Sequence, residues 1–182
     1  PKGQHYERWL RKDGQGEKKL QLYGRKLAPD VGAIQTWNSA LPVNWHHSSW
    51  IGDRVINYLS KQNDEAPFCL WASFSDPHLP FDCPEPWSRL YHPDEVDLPP
   101  FRTRELDKRP WWHRAYVEDK SVDPEMDVAI YNHEKSLNRL PKRNGRARNY
   151  NDSEEQLRHT ISNYYGMISL IDHNIGRITT TL

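Results

Sequence analysis

The chain has 182 residues, with 25 lysines and arginines against 25 aspartates and glutamates, so its formal net charge is zero. This balance gives no global field that would attract nucleic acid or an anionic membrane, and no apolar run approaches the roughly 18 residues of a membrane span. The length suits one domain with a hydrophobic core, but the hydrophobic fraction of 36% and the mean hydropathy of −0.97 are low for a self-contained globule. The composition therefore indicates a piece of a larger α/β protein with long surface loops.

Residues 1–45 predict mostly irregular structure, with a short helix over Tyr6–Lys12. The polar and charged start of the chain is unlike a signal peptide. Because the chain begins at Pro1 rather than at an initiator methionine, the sequence assigns no compartment. Cytoplasmic and exported locations both stay open.

Residues 46–75 predict a helix followed by a core strand. Ser48 and Ser49 offer an N-cap before apolar residues at helical spacing, which predicts a helix over Ser49–Lys61. The run Phe68–Phe74 is apolar or small, which is typical of a buried strand. A helix, a short turn and a strand form half of a βαβ unit, so we expect this strand to join a parallel sheet.

The residues after this strand place a histidine on a stiff loop. Pro77 and Pro80 bracket His78, and proline restricts both its own φ and the residue before it. Open α/β sheets bind ligands just beyond the carboxyl ends of their strands. A loop histidine taken alone more often makes only local hydrogen bonds, so the residues by themselves make His78 no more than a candidate.

Residues 76–150 as a whole predict a long loop excursion, and loops of this length are usually functional. Within them the sequence predicts four local features: a helical turn over Pro86–Tyr91, an extended segment over Asp94–Pro100, a short helix over Pro110–Glu118 and a basic, solvated loop over Asn138–Asn151.

Residues 151–182 predict a long buried helix of about 25 residues, which Asp152 or Ser153 can cap. Its apolar side chains recur at alternating spacings of four and three, which places them on one face: Leu157, Ile161, Tyr164, Ile168, Ile171, Ile175 and Ile178. Tyr165, Met167 and Leu170 widen this stripe, which predicts that the helix is substantially buried. Gly166 and Gly176 oppose a helix by roughly 1 kcal/mol each. Because this apolar helix reaches the end of the chain without a stop signal, the sequence predicts an internal fragment of a larger protein.

Two histidine-containing pairs are weaker candidates for a metal site. His46 and His47 lack further ligands at a suitable spacing. Asp172 and His173 diverge by about 100° on a helix, so a polar helix edge is favoured over a shared ion. Neither pair predicts a metal site.

The cysteines and tryptophans also favour structural roles. Cys69 is predicted to be a small buried residue in the strand, and Cys83 is predicted to lie in a loop. Two isolated cysteines predict no disulfide between them. Tryptophans such as Trp87 and Trp111 could stack on sugars, but at this density they more often pin loops to the body of a protein.

Four segments in combination resemble the sulfatase family of the alkaline-phosphatase superfamily: HSSWIGDRVINYL (47–59), PFCLWASFSDPHLPFDCPEPWSRLYHPDEVDLP (67–99), RPWWHRAY (109–116) and NYYGMISLIDHNIGRI (163–178). Within that family the sequence is most similar to the branch of phosphonate monoester hydrolases and phosphodiesterases beside the arylsulfatases. The resemblance covers nearly the whole chain from about residue 39 onward.

The resemblance implies an internal portion of one sulfatase-type catalytic domain, with an α/β fold in three layers and a mostly parallel sheet. Enzymes of this family hydrolyse sulfate or phosphate-type esters with a formylglycine nucleophile, matured from cysteine or serine, beside a divalent metal ion (Ca²⁺ first, Mn²⁺ or Mg²⁺ next). His78 matches the family histidine that contacts the sulfuryl or phosphoryl oxygens. Such a contact neutralises charge that grows on oxygen in the transition state.

The chain also departs from the family pattern. The nucleophile motif, Cys or Ser followed by x-Pro/Ala-x-Arg, is absent, as are the amino-terminal paired aspartates and the later Asp-Asn or Asp-His pair. The resemblance therefore implies one substrate-contacting residue, His78, with the metal ligands and the formylglycine outside this segment.

The leading hypothesis is a fragment of a sulfuric ester hydrolase that acts on a small-molecule or glycan ester, with no nucleic-acid partner. A phosphonate monoester hydrolase or phosphodiesterase of the same superfamily is the nearest alternative. A non-catalytic glycan-binding domain that uses Trp87 and Trp111, and a free-standing histidine metalloenzyme, are alternatives of other classes. The oligomeric state stays open.

Overall fold

The computed structural model describes residues 5–12, 14–23, 25–33, 35–62, 66–99 and 153–182. Its helices are α1 (His5–Lys12), α2 (Gly16–Tyr23), α3 (His47–Leu59) and α4 (Glu154–Thr181), with 3-10 turns at Val43–Trp45, Trp87–Arg89 and Pro93–Glu95. The strands are β1 (Lys26–Leu27), β2 (Thr36–Ser39) and β3 (Phe81–Pro84). All of these elements belong to one compact unit, residues 1–97 with 151–182.

The strands form one small mixed sheet in the order β1-β2-β3. β1 runs antiparallel to β2, and β2 runs parallel to β3 with Thr36 opposite Phe81. Parallel neighbours need a crossover connection, and α3 lies in the chain between β2 and β3. The described residues therefore form part of an α/β fold, and the larger, mostly parallel sheet stays a prediction.

The amino-terminal part is more regular than its sequence predicts. The helix predicted over Tyr6–Lys12 is confirmed by α1, whose Leu10 is fully buried. α2, β1 and β2 were missed. Strands of two and four residues are too short for an alternating pattern to stand out, and α2 buries the lysine Lys19 rather than an apolar stripe.

The buried strand predicted over Phe68–Phe74 is wrong for this structure. The segment makes no strand pairing, and Phe68 and Trp71 are 46% and 91% exposed. A strand needs a neighbouring ladder and a packed face, and the described part of the chain supplies neither here. The strand that does pair is β3, inside the stretch predicted to be loop.

The cysteine assignments are reversed as a consequence. Cys69, predicted to be buried, is exposed with its segment, whereas Cys83, predicted to lie in a loop, is buried on β3. Farther along, a 3-10 turn at Trp87–Arg89 confirms the helical turn predicted over Pro86–Tyr91. The segment predicted to be extended from Asp94 instead begins in the turn Pro93–Glu95.

The long carboxy-terminal helix is confirmed, but of the apolar residues predicted to be buried only Met167 and Leu170 are buried. The side chain of Ser153 caps α4 by accepting from the backbone N–H of Gln156 at 3.2 Å. The residues that α4 buries are mostly small or polar: His159, Ser162, Asn163, Gly166, Met167, Leu170 and Asn174. Of the predicted stripe, Leu157, Tyr164, Ile168 and Ile175 are exposed.

Close backbone approach explains which face of α4 is buried. A Cβ at Gly166 would lie 2.5 Å from the carbonyl oxygen of Trp87 and 2.7 Å from the Cys83 sulfur. On α3, a Cβ at Gly52 would lie 2.5 Å from Oδ1 of Asn174. Gly166 on α4 and Gly52 on α3 permit these close approaches, and most of the bulkier apolar side chains of α4 lie on its other side.

α3 begins two residues earlier than predicted, and its cap is not a serine. His46 is the N-cap, and the helix runs over His47–Leu59 rather than Ser49–Lys61. Within the described ranges, no helix is both long and apolar enough to cross a membrane. The predictions over Pro110–Glu118, Asn138–Asn151 and Trp111 fall outside those ranges.

Candidate functional site

His78 lies on a tight turn, the His78 loop (residues 75–80), which leads into β3. Its backbone N–H donates to the carbonyl oxygen of Ser75 at 3.1 Å. Its ring Nδ1 lies 2.8 Å from the carbonyl oxygen of Leu79. Because a carbonyl oxygen can only accept, Nδ1 carries the proton, and Nε2 is left for contacts outside the loop. The side chain is exposed and lines a cleft of about 360 Å³, the His78 cleft.

Asp76 joins this loop to the first turn of α3. Its buried carboxylate accepts from Nε2 of His47 at 2.7 Å and from Oγ of Ser48 at 2.5 Å. Nδ1 of His46 lies 3.7 Å from the same carboxylate. Both carboxylate oxygens of Asp76 are thus held by α3, two residues before His78, and the loop is fixed against the helix.

The charge of Asp76 follows from these bonds. Burial raises the pKa of a carboxyl, but the hydrogen bond from His47, supported by the neighbouring imidazoles and by Ser48, outweighs it and holds the pKa of Asp76 below its usual range. Asp76 is therefore an ionised, fully engaged anchor at neutral pH.

His46 is a neutral capping residue. Its Nδ1 accepts from the backbone N–H of Ser48 at 3.3 Å, which satisfies one of the orphan donors at the start of α3. Burial, reinforced by the charge of His47, lowers the pKa of His46 to about 3. Its buried Nε2 finds no hydrogen-bond partner in the part of the chain that the structure describes.

Asp82 is a second carboxyl at the site, on β3. It is only 3% exposed, and its Oδ2 has no hydrogen-bond partner among the described residues. Burial raises the pKa of Asp82 to about 7, with His47 opposing and Asp76 adding to the shift. Asp82 lines both the His78 cleft and an adjoining cavity of about 290 Å³ beside Tyr6, Lys19 and Trp50, the α1–α3 cavity.

The cluster of His46, His47 and Asp76 does not fit the hard divalent ion that the family resemblance implies. Its three ligand atoms lie within 4.8 Å of one another, but Ca²⁺ and Mg²⁺ take oxygen ligands, and this set offers two imidazole nitrogens for one carboxylate. The 2.7 Å separation between His47 and Asp76 is a hydrogen bond, and His46 Nδ1 is engaged by Ser48. We assign the cluster to positioning and derive no metal chemistry from it.

The other sequence candidates lie away from this site. Asp172 and His173 are exposed on α4, as the prediction of a polar helix edge required. The ring of Trp87 lies 5.3 Å from that of His173, a contact that pins its loop to α4. Trp111 lies outside the described residues.

The sequence made His78 a candidate but did not predict the residues that surround it. Asp76 meets residues 28 and 29 positions earlier in the chain, and no local pattern predicts that pairing. Asp82 was hidden because β3 was taken for loop. The adjacent His46 and His47 were the one available signal, and their partner could not be named without the fold.

Comparison with known proteins finds relatives whose names agree with the family resemblance of the sequence. An arylsulfatase of Clostridium perfringens is 24% identical over 139 residues, which are 76% of this chain and 23% of that protein. A sulfatase of Formosa agariphila is 24% identical over 176 residues, 93% of this chain and 28% of that protein. No known protein-family profile matches the chain.

Among solved structures, a phosphonate monoester hydrolase of Agrobacterium radiobacter matches the whole of this chain and 33% of its own, with a TM-score of 0.59 and 22% identity. The fold is thus a partial α/β fold of the kind found in that hydrolase. The chain is related to the sulfatases of the alkaline-phosphatase superfamily, as its sequence predicted. It spans about a quarter of the length of the curated relatives.

Proposed function

We propose that these residues are an internal portion of the catalytic domain of a sulfuric ester hydrolase, and that His78 contacts the sulfuryl oxygens of the substrate. The observation that carries the proposal is the placement of His78: it lines a cleft, on a loop whose Asp76 is fixed by α3. The names of both curated relatives support the same class.

The chemistry asked of His78 is simple. With Nδ1 engaged by Leu79, Nε2 meets the substrate and, when protonated, donates to an oxygen whose negative charge grows as the ester bond breaks. A small-molecule or glycan sulfate ester is the expected substrate class. A divalent ion and a formylglycine, contributed by residues outside this chain, would supply the nucleophile and further charge neutralisation.

Hydrolysis of phosphonate or phosphate esters is the second candidate. The fold match to a phosphonate monoester hydrolase covers all of this chain, and tetrahedral sulfur and phosphorus centres are alike in size. The two candidates share a site and differ in substrate.

The direct test is turnover of an aryl sulfate and an aryl phosphonate ester, side by side, by the longer natural polypeptide that contains these residues. We expect faster turnover of the sulfate, and a loss of at least about tenfold in His78→Ala, as for removal of an oxyanion contact. His92→Ala is the matched control, because His92 is an exposed histidine on a surface turn. Failure on both esters would contradict the class, and full activity of His78→Ala would contradict the role of His78.

Asp76→Asn tests the positioning role in the same enzyme. The amide cannot accept from His47 and Ser48 through both of its terminal atoms, so the His78 loop loosens while His78 itself is intact. We expect kcat to fall by about tenfold with a smaller change in KM, because misplacement acts mainly on the transition state. Ser48→Ala, which removes one of the two bonds, should lose less. If Asp76→Asn and Ser48→Ala lower kcat equally, and lower the free energy of unfolding equally, the role of Asp76 is purely structural.

A further inference from the structure

Asp82 is a buried carboxyl at the junction of two cavities. The role proposed above for His78 does not involve it. Its side chain lines the His78 cleft together with His78 and His47, and it lines the α1–α3 cavity together with Lys19. Its Oδ2 has no hydrogen-bond partner within the described residues. A buried polar atom without a partner costs free energy, so this carboxyl is poised for a group that enters the cleft.

The surroundings of Asp82 decide which form of the carboxyl is present. The titratable and charged groups that face it are Tyr6 on α1, Lys19 and Tyr23 on α2, His47 on α3, Asp76 and His78 in the His78 loop, and Cys83 beside it on β3. Lys19 is already paired with Glu7, and His47 with Asp76. Burial raises the pKa of Asp82 to about 7, so the carboxyl is mostly protonated below neutral pH and mostly ionised above it.

The form of Asp82 changes what the cleft accepts. An ionised Asp82 would repel an anion, whereas a protonated carboxyl offers an O–H donor beside His78. We propose that Asp82 is a substrate-binding residue whose protonated carboxyl donates a hydrogen bond to an anionic sulfuryl or phosphoryl oxygen in the His78 cleft. The inference deepens the proposed function and rests on it, because it uses the same cleft.

The first test is binding of inorganic sulfate to the 182-residue chain, followed by NMR at pH 6 and pH 8. Sulfate keeps the same charge over this interval, so a change in Kd reports on the protein. A carboxyl with a pKa of about 7 is roughly nine-tenths protonated at pH 6 and one-tenth at pH 8. We expect Kd to be about tenfold weaker at pH 8 in the native chain and nearly constant in Asp82→Asn, whose amide donates at both pH values.

The variants separate the contribution of Asp82 from that of the other groups in the cleft. If Asp82→Asn keeps the tenfold change, the role of Asp82 is overturned while that of His78 stands. If His78→Asn binds sulfate as tightly as the native chain at both pH values, the proposed function fails instead. Asp172→Asn is the control for loss of a carboxylate, because Asp172 is exposed on α4.

A second measurement does not depend on any variant folding. The carbon-13 resonance of the Asp82 carboxyl should titrate with a midpoint near 7, and saturating sulfate should move that midpoint upward, because proton and sulfate binding are linked reciprocally. A midpoint near the ordinary aspartate value, or one that sulfate leaves unmoved, would overturn the proposal.

Discussion

Helix α4 buries its more polar face and exposes its more apolar face. The inner face, which packs on β3 and α3, consists of His159, Ser162, Asn163, Gly166, Met167, Leu170 and Asn174. The outer face consists of Leu157, Tyr164, Tyr165, Ile168 and Ile175, each at least 36% exposed. The more apolar face is the one that meets solvent.

The difference teaches that close approach, and not hydrophobicity alone, selects the buried face. Small residues let backbone meet backbone, and most buried polar groups find hydrogen-bond partners, although both ring nitrogens of His159 on this face find none within the described residues. On the inner face, Oγ of Ser162 donates to the carbonyl oxygen of Tyr91 and Nδ2 of Asn163 donates to that of Phe81. The hydropathy of the outer face predicted a packing partner, and within the residues that the structure describes no partner covers it.

The largest expected effect comes from filling the closest contact on the inner face. Gly166→Val places its Cβ against the backbone of Trp87, in a 3-10 turn, and against the sulfur of Cys83, on β3. We expect the free energy of unfolding to fall by about 3 kcal/mol or more, as overpacking does in a tight site. Urea unfolding followed by circular dichroism measures it.

Gly176→Ala is the matched change elsewhere on α4. A Cβ there meets nothing within 4 Å, so the variant should gain up to about 1 kcal/mol from helix propensity. Equal and small effects at the two glycines would show that α4 does not approach β3 as described.

Truncating one large side chain on each face comes next. Leu170 is 1% exposed and Ile168 is 40% exposed. Leu170→Ala should cost about 2–4 kcal/mol, because it leaves a cavity in the core, and Ile168→Ala should cost less than about 1 kcal/mol. A larger loss at Ile168 would mean that the outer face is covered in solution and would break the contrast.

The smallest effect concerns a polar contact of the inner face. Asn163→Ala removes the 3.2 Å bond to the carbonyl oxygen of Phe81, next to Asp82. We expect a loss of about 1 kcal/mol, the usual net contribution of one hydrogen bond to stability. Asp172→Ala, on the exposed side of α4, should change stability by less than about 0.5 kcal/mol. Similar losses of stability in Asn163→Ala and Asp172→Ala would show that the polar contact of the inner face does not stabilise the fold.

Periodicity, composition and loop chemistry predicted what is local. They predicted α1, α3 and α4 within a few residues, and prolines around a histidine singled out His78. They did not predict the anchoring of Asp76 by His47 and Ser48, because that pairing joins residues 28 and 29 positions apart. They also misassigned Phe68–Phe74 and the stripe of α4, since hydropathy states that a side chain favours burial and not which neighbour is present to bury it.

Because Cys69 is exposed and Cys83 is buried, the reactivity of Cys69 reports on whether the segment Phe68–Phe74 is covered. Burial raises the pKa of the Cys83 thiol and closes it to reagents, whereas Cys69 is exposed between Phe68 and Leu70. Thiolates are the reactive form and need access, so a maleimide should label this chain once, at Cys69. In any longer polypeptide in which another strand pairs with Phe68–Phe74, the same reagent should react slowly with Cys69. The rate of this alkylation would therefore show whether the segment is paired.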